Sequence, residues 1–332
     1  MKSNNVHNPM VSIIILNWNG QKHIHKCLEH VLNQTYEPLE IIIVDNGSTD
    51  GSIKKLKEMY PNLVYIENNK NLGYAVGMNQ GISKSKGEFI IPLNQDVCLH
   101  KDFIEKCVSR IMQDEKIGAI GGRAYCWIGD ELTNLLRKGE GELFFFRKRF
   151  QGFAGTKSDK EAFVFAPSGS YPFFRRKMLE DIRETSGYYY DESFETGWED
   201  NDLFFRIQLR GWKCLFYPYA TVWHVGSGSV EGKSTLLDKS FDYQRRIFRN
   251  RYFTMIKNLP IDTFFWLFPY ILVTELLLIP YLLIRSPKSL FALFISWWQV
   301  LKSFRSLKEK RHMIKKNTIV PKGHLKKYFI AF

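Results

Sequence analysis

Cysteine is scarce and unpatterned here: five residues among 332, an odd number with no CxxC spacing. That argues against a disulfide framework or a zinc knuckle and predicts reduced thiols in a cytosolic setting, mostly packed in the core. The first ten residues hold no apolar run, and Val11–Leu16 is too short to serve as one, so no signal peptide is expected. Two phosphate-binding signatures are missing as well. No GxGxxG follows the first apolar run and no GxxxxGK[ST] occurs, which sets aside dinucleotide dehydrogenases and P-loop NTPases. Acids are outnumbered, 34 against 47 Lys and Arg, but the excess is local. From Lys302 onward ten basic residues meet one acid, Glu309, a net +9 that leaves +4 to the rest of the chain. The basicity therefore belongs to a terminal segment, with no base-stacking platform beside it, and no nucleic-acid partner is expected.

What the chain does contain begins with apolar runs. Its length supplies core enough for one large α/β domain or two smaller ones. Val11–Leu16 is apolar but for Ser12 and mostly β-branched, the pattern of a strand buried on both faces. Asn17-Trp18-Asn19-Gly20 ends it, and Ile24, Cys27, Leu28, Val31 and Leu32 return at helical spacing. Further strands are expected at Ile41–Val44, Leu63–Ile66 and Phe89–Leu93, with a helix opened by residues 71–79. This βαβαβαβ order predicts a doubly wound, nucleotide-binding half-domain. In such sheets ligands lie beyond the carboxyl ends of the strands, where Asn17, Asp45 and Asn94–Asp96 all fall. Asn and Asp are ordinary turn formers, yet three successive polar turns at strand ends predict one crevice.

Beyond Phe103 the chain is harder to read. Glu161–Pro167 has strand character, and Ser168-Gly169-Ser170 is a small-residue turn where backbone can approach a ligand. Trp198-Glu199-Asp200-Asn201-Asp202 then opens a segment with Leu203, Phe204 and Ile207 at helical spacing. Acids in a first helical turn complement the macrodipole, which is the plain alternative to a site. Asp202 and Arg206, four apart, are expected to pair on the helix surface and leave Asp200 the freer carboxylate. His224 closes the apolar strand that follows. An acidic turn and a histidine on neighbouring elements suit a base beside a metal site.

Taken together, Val44-Asp-Asn-Gly-Ser-Thr-Asp-Gly51, Asn71-x-Gly73…Asn79-x-Gly81, Leu93-Asn-Gln-Asp96, Trp198-Glu-Asp-Asn-Asp202 and His224 resemble glycosyltransferase family 2 over about residues 11–229. Members are inverting nucleotide-sugar transferases of the GT-A fold, a Rossmann-like, mostly parallel sheet flanked by helices. The Asp45-Asn46 pairing is similar to the rhamnosyl- and galactofuranosyl-transferase branch. The resemblance implies that Asp45 accepts the base N3–H of a dTDP- or UDP-linked donor, with Asn17 lining the base pocket and Asn79 in the ribose–diphosphate region. Asn94-Gln95-Asp96 matches the DxD segment on the donor side, with Asp96 as the metal carboxylate. His224 matches the histidine that completes the metal site, and Asp200 the catalytic base. Asn94 departs from the usual first Asp, lowering the charge there while still able to bond a ribose hydroxyl. Trp198 and Glu199 then fall on the acceptor side, where the indole either stacks on a sugar ring or packs in the core.

The chemistry is readable without the family. Expelling a nucleoside diphosphate from an anomeric carbon leaves growing negative charge, which a divalent cation neutralises. One carboxylate plus an imidazole favours Mn²⁺, whereas Mg²⁺ prefers oxygen ligands. The attacking hydroxyl must lose its proton to a general base, a role typically contributing about 10²–10⁴-fold. An Asp at a helix N-terminus is expected to be ionised at neutral pH. The alternative reading is a non-catalytic nucleotide-sugar-binding scaffold, motivated by Asn94.

The last third reads differently. The expected division is a GT-A domain over 1–232, with a nucleotide-sugar half to about 100 and an acceptor half after it, then a helical region over 233–332. Phe241–Lys257 is a basic aromatic helix, expected to present a solvated face. Thr263–Ile284 is apolar and long enough to span roughly 30 Å of hydrocarbon, but Pro269 and Pro280 interrupt it and Glu275 sits inside. Leu290–Leu301 is too short to cross alone. Basic residues flank both runs, so no charge asymmetry drives translocation. An in-plane or re-entrant anchor on the anionic cytoplasmic face of the plasma membrane is expected, reinforced by the basic tail. That place suits a glycan acceptor linked to polyprenyl diphosphate. A packed helical subdomain or an oligomer interface is the alternative for these helices.

Overall fold

The computed structural model describes residues 8–137, 144–145, 148–150, 158–226 and 236–331. The expected border at 232/233 lies outside them. The parallel core is built from β1 (Val11–Asn17), β2 (Leu39–Asp45), β3 (Val64–Glu67) and β4 (Phe89–Asn94), in the order β3-β2-β1-β4. Helices α1 (Ile24–Leu32), α2 (Ser52–Met59) and α3 (Tyr74–Lys84) connect them. The run Val11–Ile15 is buried throughout because it feeds two cores. Val11, Ile13 and Ile15 pack with Ile24, Leu28 and Leu56 of α1 and α2, while Ile14 packs with Met78 and Ile82 of α3. That is the reason this strand, Ser12 aside, is apolar on both faces and not alternating.

After β4 a tight turn reverses into β5 (Val97–Leu99), followed by α4 (Phe103–Ile111), β6 (Ile117–Ile128) and β7 (Glu131–Leu136). Short strands β8 (Phe144–Phe145), β9 (Lys148–Phe150), β10 (Ala162–Val164) and β11 (Phe173–Arg175) come next, then α5 (Arg176–Ser186), α6 (Glu199–Leu209) and β12 (Lys213–His224). Among the described residues the main sheet has ten strands, in the path β10-β12-β6-β11-β4-β1-β2-β3, with β5 on β12 and β7 on β6. β11 is antiparallel to both β4 and β6, and β12 is parallel to β6. Thus β12, β6, β4, β1, β2 and β3 all point one way, and their carboxyl ends share one edge. The expected strand over Glu161–Pro167 shrinks to three residues, and the twelve-residue β6 passed unread because Gly118, Gly121 and Gly122 interrupt its apolar pattern. Those glycines are needed for closeness: a Cβ on Gly122 would lie 2.2 Å from the Ala220 carbonyl oxygen of β12.

Three long helices finish the chain: α7 (Phe241–Asn258), α8 (Ile261–Arg285) and α9 (Pro287–Lys316), with β13 (Phe329–Ala331) pairing on β9 in a small second sheet with β8. Two expectations are corrected. Helix α7 is not a solvated face: Arg249, Asn250, Arg251, Lys257 and Asn258 are all buried. The Asp202–Arg206 pair exists, but inside the protein, with both side chains essentially unexposed. Asp202 also meets Lys257 at 2.8 Å and Asn258 Nδ2 at 2.7 Å, which joins α6 to α7. Helix α8 runs through Pro269 and Pro280 without ending. Its Glu275 is accounted for by Arg251 at 2.6 Å and the Tyr252 hydroxyl at 2.5 Å, both on α7. Among the described residues one helix, Ile261–Arg285, is apolar and long enough to cross a bilayer, with 11% of its most apolar window buried.

Candidate active site

The turn at Asn94–Asp96 and the end of β12 meet because β5 begins one residue after Asp96 and pairs antiparallel with β12. Val97 lies opposite His224 and Cys98 opposite Trp223. This brings Asp96 Oδ2 to 3.5 Å from His224 Nε2, in a position where Gly226 N also donates to the same oxygen at 3.1 Å. Burial, the largest single influence, works to raise the Asp96 carboxyl, but His224 and backbone N–H donors, that of Gly226 among them, together hold the group below its ordinary value. Among the described residues no cluster of three or more His, Cys, Asp and Glu side chains forms a closed metal cage. A carboxylate and an imidazole on one side of an open cleft fit a divalent cation whose remaining ligands are phosphate oxygens and water.

That cleft has a volume of about 760 Å³, and Asn94, Asp96, Trp198, Glu199, Asp200 and His224 all line it. Six of the ten expected site residues therefore share one space, although Asp96 and Asp200 lie far apart in the chain. Asp200 is carried in by the first turn of α6. Its Oδ1 accepts from Asn201 N at 2.7 Å and Asn201 Nδ2 at 3.1 Å. The Ser168-Gly169-Ser170 turn makes its close approach to this carboxylate: a Cβ on Gly169 would sit 2.2 Å from Asp200 Oδ2.

Glu199 and Asp200 are adjacent acids with little water around them. Burial pushes Glu199 up to about 8, with the Asp200 charge as the next cause, and burial raises Asp200 too. The expectation of a simply ionised Asp200 is therefore modified. The larger rise is at Glu199, whose buried Oε2 has no hydrogen-bond partner among the described residues, so the pair favours keeping a proton there near neutral pH.

Four expected donor-side residues lie outside the described lining of that cleft. Asn17 and Asp45 form a polar knot at the ends of β1 and β2. Asn17 Nδ2 donates to Asp45 Oδ1, Ser48 Oγ and Ser52 Oγ at 2.7–3.0 Å. Asp45 accepts from Asn17, the Ser48 hydroxyl, and the backbone N–H of Gly47 and Ser48. These four donors fill a carboxylate's acceptor sites, so binding a base N–H there requires one of them to give way. Gln95 clamps Trp18, accepting from its N–H at 2.9 Å and donating to its carbonyl at 3.1 Å. Asn79 is spent on the backbone of Tyr190, donating to its carbonyl at 2.9 Å and accepting from its N–H at 3.0 Å. It ties α3 to the segment before α6, where its amide also donates to Glu192 Oε1 at 3.1 Å.

Several lining residues carried no readable signal in the sequence. His23 heads α1, with burial lowering its imidazole. Arg137, nearly buried, donates to the Val225 carbonyl at 2.8 Å beside the His224–Gly226 turn. Tyr74 donates to the Gly169 carbonyl at 3.3 Å, and Tyr243 and Ile247 enter from α7. They come from α1, α3, α7 and the residue after β7, elements brought to the cleft by packing between distant parts of the chain. Trp18, 52% exposed on its clamped backbone beside the Asp45 knot, is a further aromatic surface, one that no motif in the sequence marks.

A family model described as "Glycosyl transferase family 2" matches residues 12–183, so it takes in β1 through most of α5 and stops short of Asp200 and His224. Glycosyltransferase GlyG of Streptococcus pneumoniae is 35% identical over 115 residues, which is 34% of this chain and 38% of that protein. Poly-beta-1,6-N-acetyl-D-glucosamine synthase of Staphylococcus aureus is 24% identical over 216 residues, 64% of this chain and 49% of that one. The chain thus spans half or less of the curated relatives it matches. Among solved structures, the mannosyltransferase PcManGT from Pyrobaculum calidifontis, in complex with GDP-Man and Mn²⁺, superposes with a TM-score of 0.54 at 15% identity, covering 94% of this chain and 88% of that one. The fold is that of GT-A glycosyltransferases: a mostly parallel mixed sheet flanked by helices.

Proposed function

Because the chain belongs to glycosyltransferase family 2, we propose that it moves one sugar from a nucleotide-sugar to a hydroxyl of a glycan acceptor, with inversion. The observation that carries this reading is the shared cleft, which Asp96, His224 and Asp200 all line, with Asp96 and His224 3.5 Å apart. In this reading Asp96 and His224 hold Mn²⁺ or Mg²⁺. The cation, when bound, neutralises charge developing on the leaving diphosphate. Asp200 takes the proton from the attacking hydroxyl, and the proton held on Glu199 keeps the second acid from competing for it. Asn94 bonds a donor hydroxyl, Trp198 offers an aromatic face to the acceptor, and Glu199 stands beside it.

On the nucleotide side the proposal is a pyrimidine, dTDP or UDP, selected at the Asp45 knot, with Trp18 as a stacking surface for the base. The proposed sugar is rhamnose or a similar hexose. The acceptor is read as a cell-surface glycan intermediate on polyprenyl diphosphate, supported by the apolar surface of α8 and α9. Phe265, Leu276 and Ile284 on α8 and Phe291, Trp298 and Leu301 on α9 are all more than half exposed. Helix α8 also touches the main core through Phe264–Ile271 and a second cluster through Leu278–Leu282. A helix lying along its own domain in this way suits in-plane association with the cytoplasmic leaflet. The second reading, a nucleotide-sugar-binding scaffold, rests on Asn94 and its missing charge.

A thermal-shift panel of UDP-, dTDP- and GDP-sugars, with and without Mn²⁺, tests the assignment. The expected result is a Mn²⁺-dependent rise in melting temperature with dTDP- or UDP-sugars, reduced by Trp18→Ala. A preference for GDP-sugars contradicts the role given to Asp45.

A further inference from the structure

Helix α7 shapes the turn that carries Asp200. Asn250 is fully buried, and its Nδ2 donates to three carbonyls of the preceding loop: Phe194 at 2.7 Å, Thr196 at 3.3 Å and Gly197 at 2.7 Å. The loop needs such a focus, since Glu195, Gly197 and Trp198 all have positive φ, 60°, 87° and 74°. Two of these carry side chains, a conformation that persists only where surroundings enforce it. One turn back along α7, Ile247 rests on the loop so closely that a Cβ on Gly197 would lie 2.4 Å from its Cδ1. One turn further back, Tyr243 lines the cleft. Burial raises its hydroxyl above the ordinary tyrosine value, and the nearby charges of Glu199 and Asp200 add to the shift. Residues 243, 247 and 250 are four and three apart, so they share one helix face turned to the cleft and its loop.

The same cleft is lined by Asp96, His224 and Arg137, the residues that suit a cation and a diphosphate. An aromatic ring with a hydroxyl beside the base carboxylate has the amphipathic character that a sugar ring requires. We propose that α7 forms the acceptor wall of the cleft, with Tyr243 binding the acceptor sugar next to Asp200 and Asn250 positioning the Asp200 turn. This rests on the glycosyltransferase reading above. It places part of the acceptor site in the C-terminal helices, beyond both halves expected from the sequence. It also links that site to the apolar surface, because Phe241 at the start of α7 stacks on Phe291 of α9.

The test uses full-length protein with Mn²⁺ and the UDP-, dTDP- and GDP-sugar panel, and measures two outcomes: donor hydrolysis to water and transfer to a set of octyl β-glycosides. Tyr243→Ala is expected to lower transfer at least about tenfold through acceptor KM, with donor hydrolysis and nucleotide Kd unchanged. Asn250→Ala is expected to lower kcat for hydrolysis and transfer alike by about 10–100-fold, again at unchanged nucleotide Kd and with a cooperative melt. Equal loss of hydrolysis and transfer in Tyr243→Ala, or no loss, overturns the acceptor wall. Loss in Asn250→Ala that merely follows nucleotide affinity or folded fraction overturns the positioning role. Wild-type protein that binds nucleotide and Mn²⁺ yet neither hydrolyses nor transfers overturns the underlying transferase reading, a failure recognisable because wild type and both variants are then equally inactive.

Discussion

Glu199 and Asp200 are the residues on which the chemistry and the stability of this protein meet. The folded-state value of Glu199, about 8, lies above its ordinary value of 4.5. Between those limits the unfolded chain has lost a proton that the folded chain keeps, so stability falls as pH rises through this window and levels off above it. Each unit of separation corresponds to about 1.4 kcal/mol. Glu199→Gln removes this titration. The variant is expected to gain melting temperature over wild type at pH 8 and much less at pH 5, measured by calorimetry without metal. Equal pH slopes for the two proteins would contradict the burial assigned to Glu199. The sequence placed these acids correctly in a first helical turn, but their burial could not be read there. It depends on Gly169, Tyr74 and Tyr243 arriving from three other elements. Asn79 shows the opposite case, a residue marked by its spacing whose amide is used up by the Tyr190 backbone.

The elements differ in how openly the sequence announced them. Strands β1, β2 and β4 and helix α1 were legible because their apolar residues keep a single period from end to end. Helix α7 was legible as a helix but not as an interior one, since its arginines and lysine look like a solvated stripe until their partners appear. Glu195 supplies that partner for Arg249, Glu275 for Arg251, and Asp191 and Asp202 for Lys257, which is wholly buried between them; Lys310 of α9 also reaches Asp191 at 2.6 Å. The two lysines hold Asp191 well below the usual carboxylate range despite its burial. Removing one partner from such a group leaves uncompensated buried charge, at a cost of about 3–5 kcal/mol. Lys257→Met is therefore expected to lower the urea midpoint sharply at unchanged m-value. Glu309→Gln, which breaks the exposed Arg305 pair, should change stability by less than about 0.5 kcal/mol. Comparable losses in both variants would contradict the network's role in joining α6, α7 and α9.

At the scale of the whole molecule, a nucleotide-type sheet and a set of apolar helices are built as one structure through α7. The in-plane reading predicts that the protein sediments with vesicles containing anionic phospholipid more than with zwitterionic ones, and less as salt is raised. Replacing Phe265, Leu276 and Leu301 together by Ser removes three large exposed side chains, each worth about 1.5–3 kcal/mol when fully buried. This variant is expected to stay in the supernatant while keeping nucleotide binding. Wild-type levels of sedimentation would instead assign the surface to protein contacts, such as a second copy of the chain.

The account as a whole depends on Asp96, His224 and Asp200 serving one reaction across one cleft. Its most direct measurement is nucleotide-sugar turnover against Mn²⁺ concentration for wild type, Asp96→Asn and Asp200→Asn, with nucleotide binding followed in parallel. The account predicts Mn²⁺-dependent turnover in wild type and a loss of that dependence in Asp96→Asn. In Asp200→Asn it predicts turnover reduced about 10²–10⁴-fold with nucleotide and Mn²⁺ binding intact. Wild-type turnover in Asp200→Asn, or nucleotide binding without turnover in the wild-type protein on any donor of the panel, would contradict it.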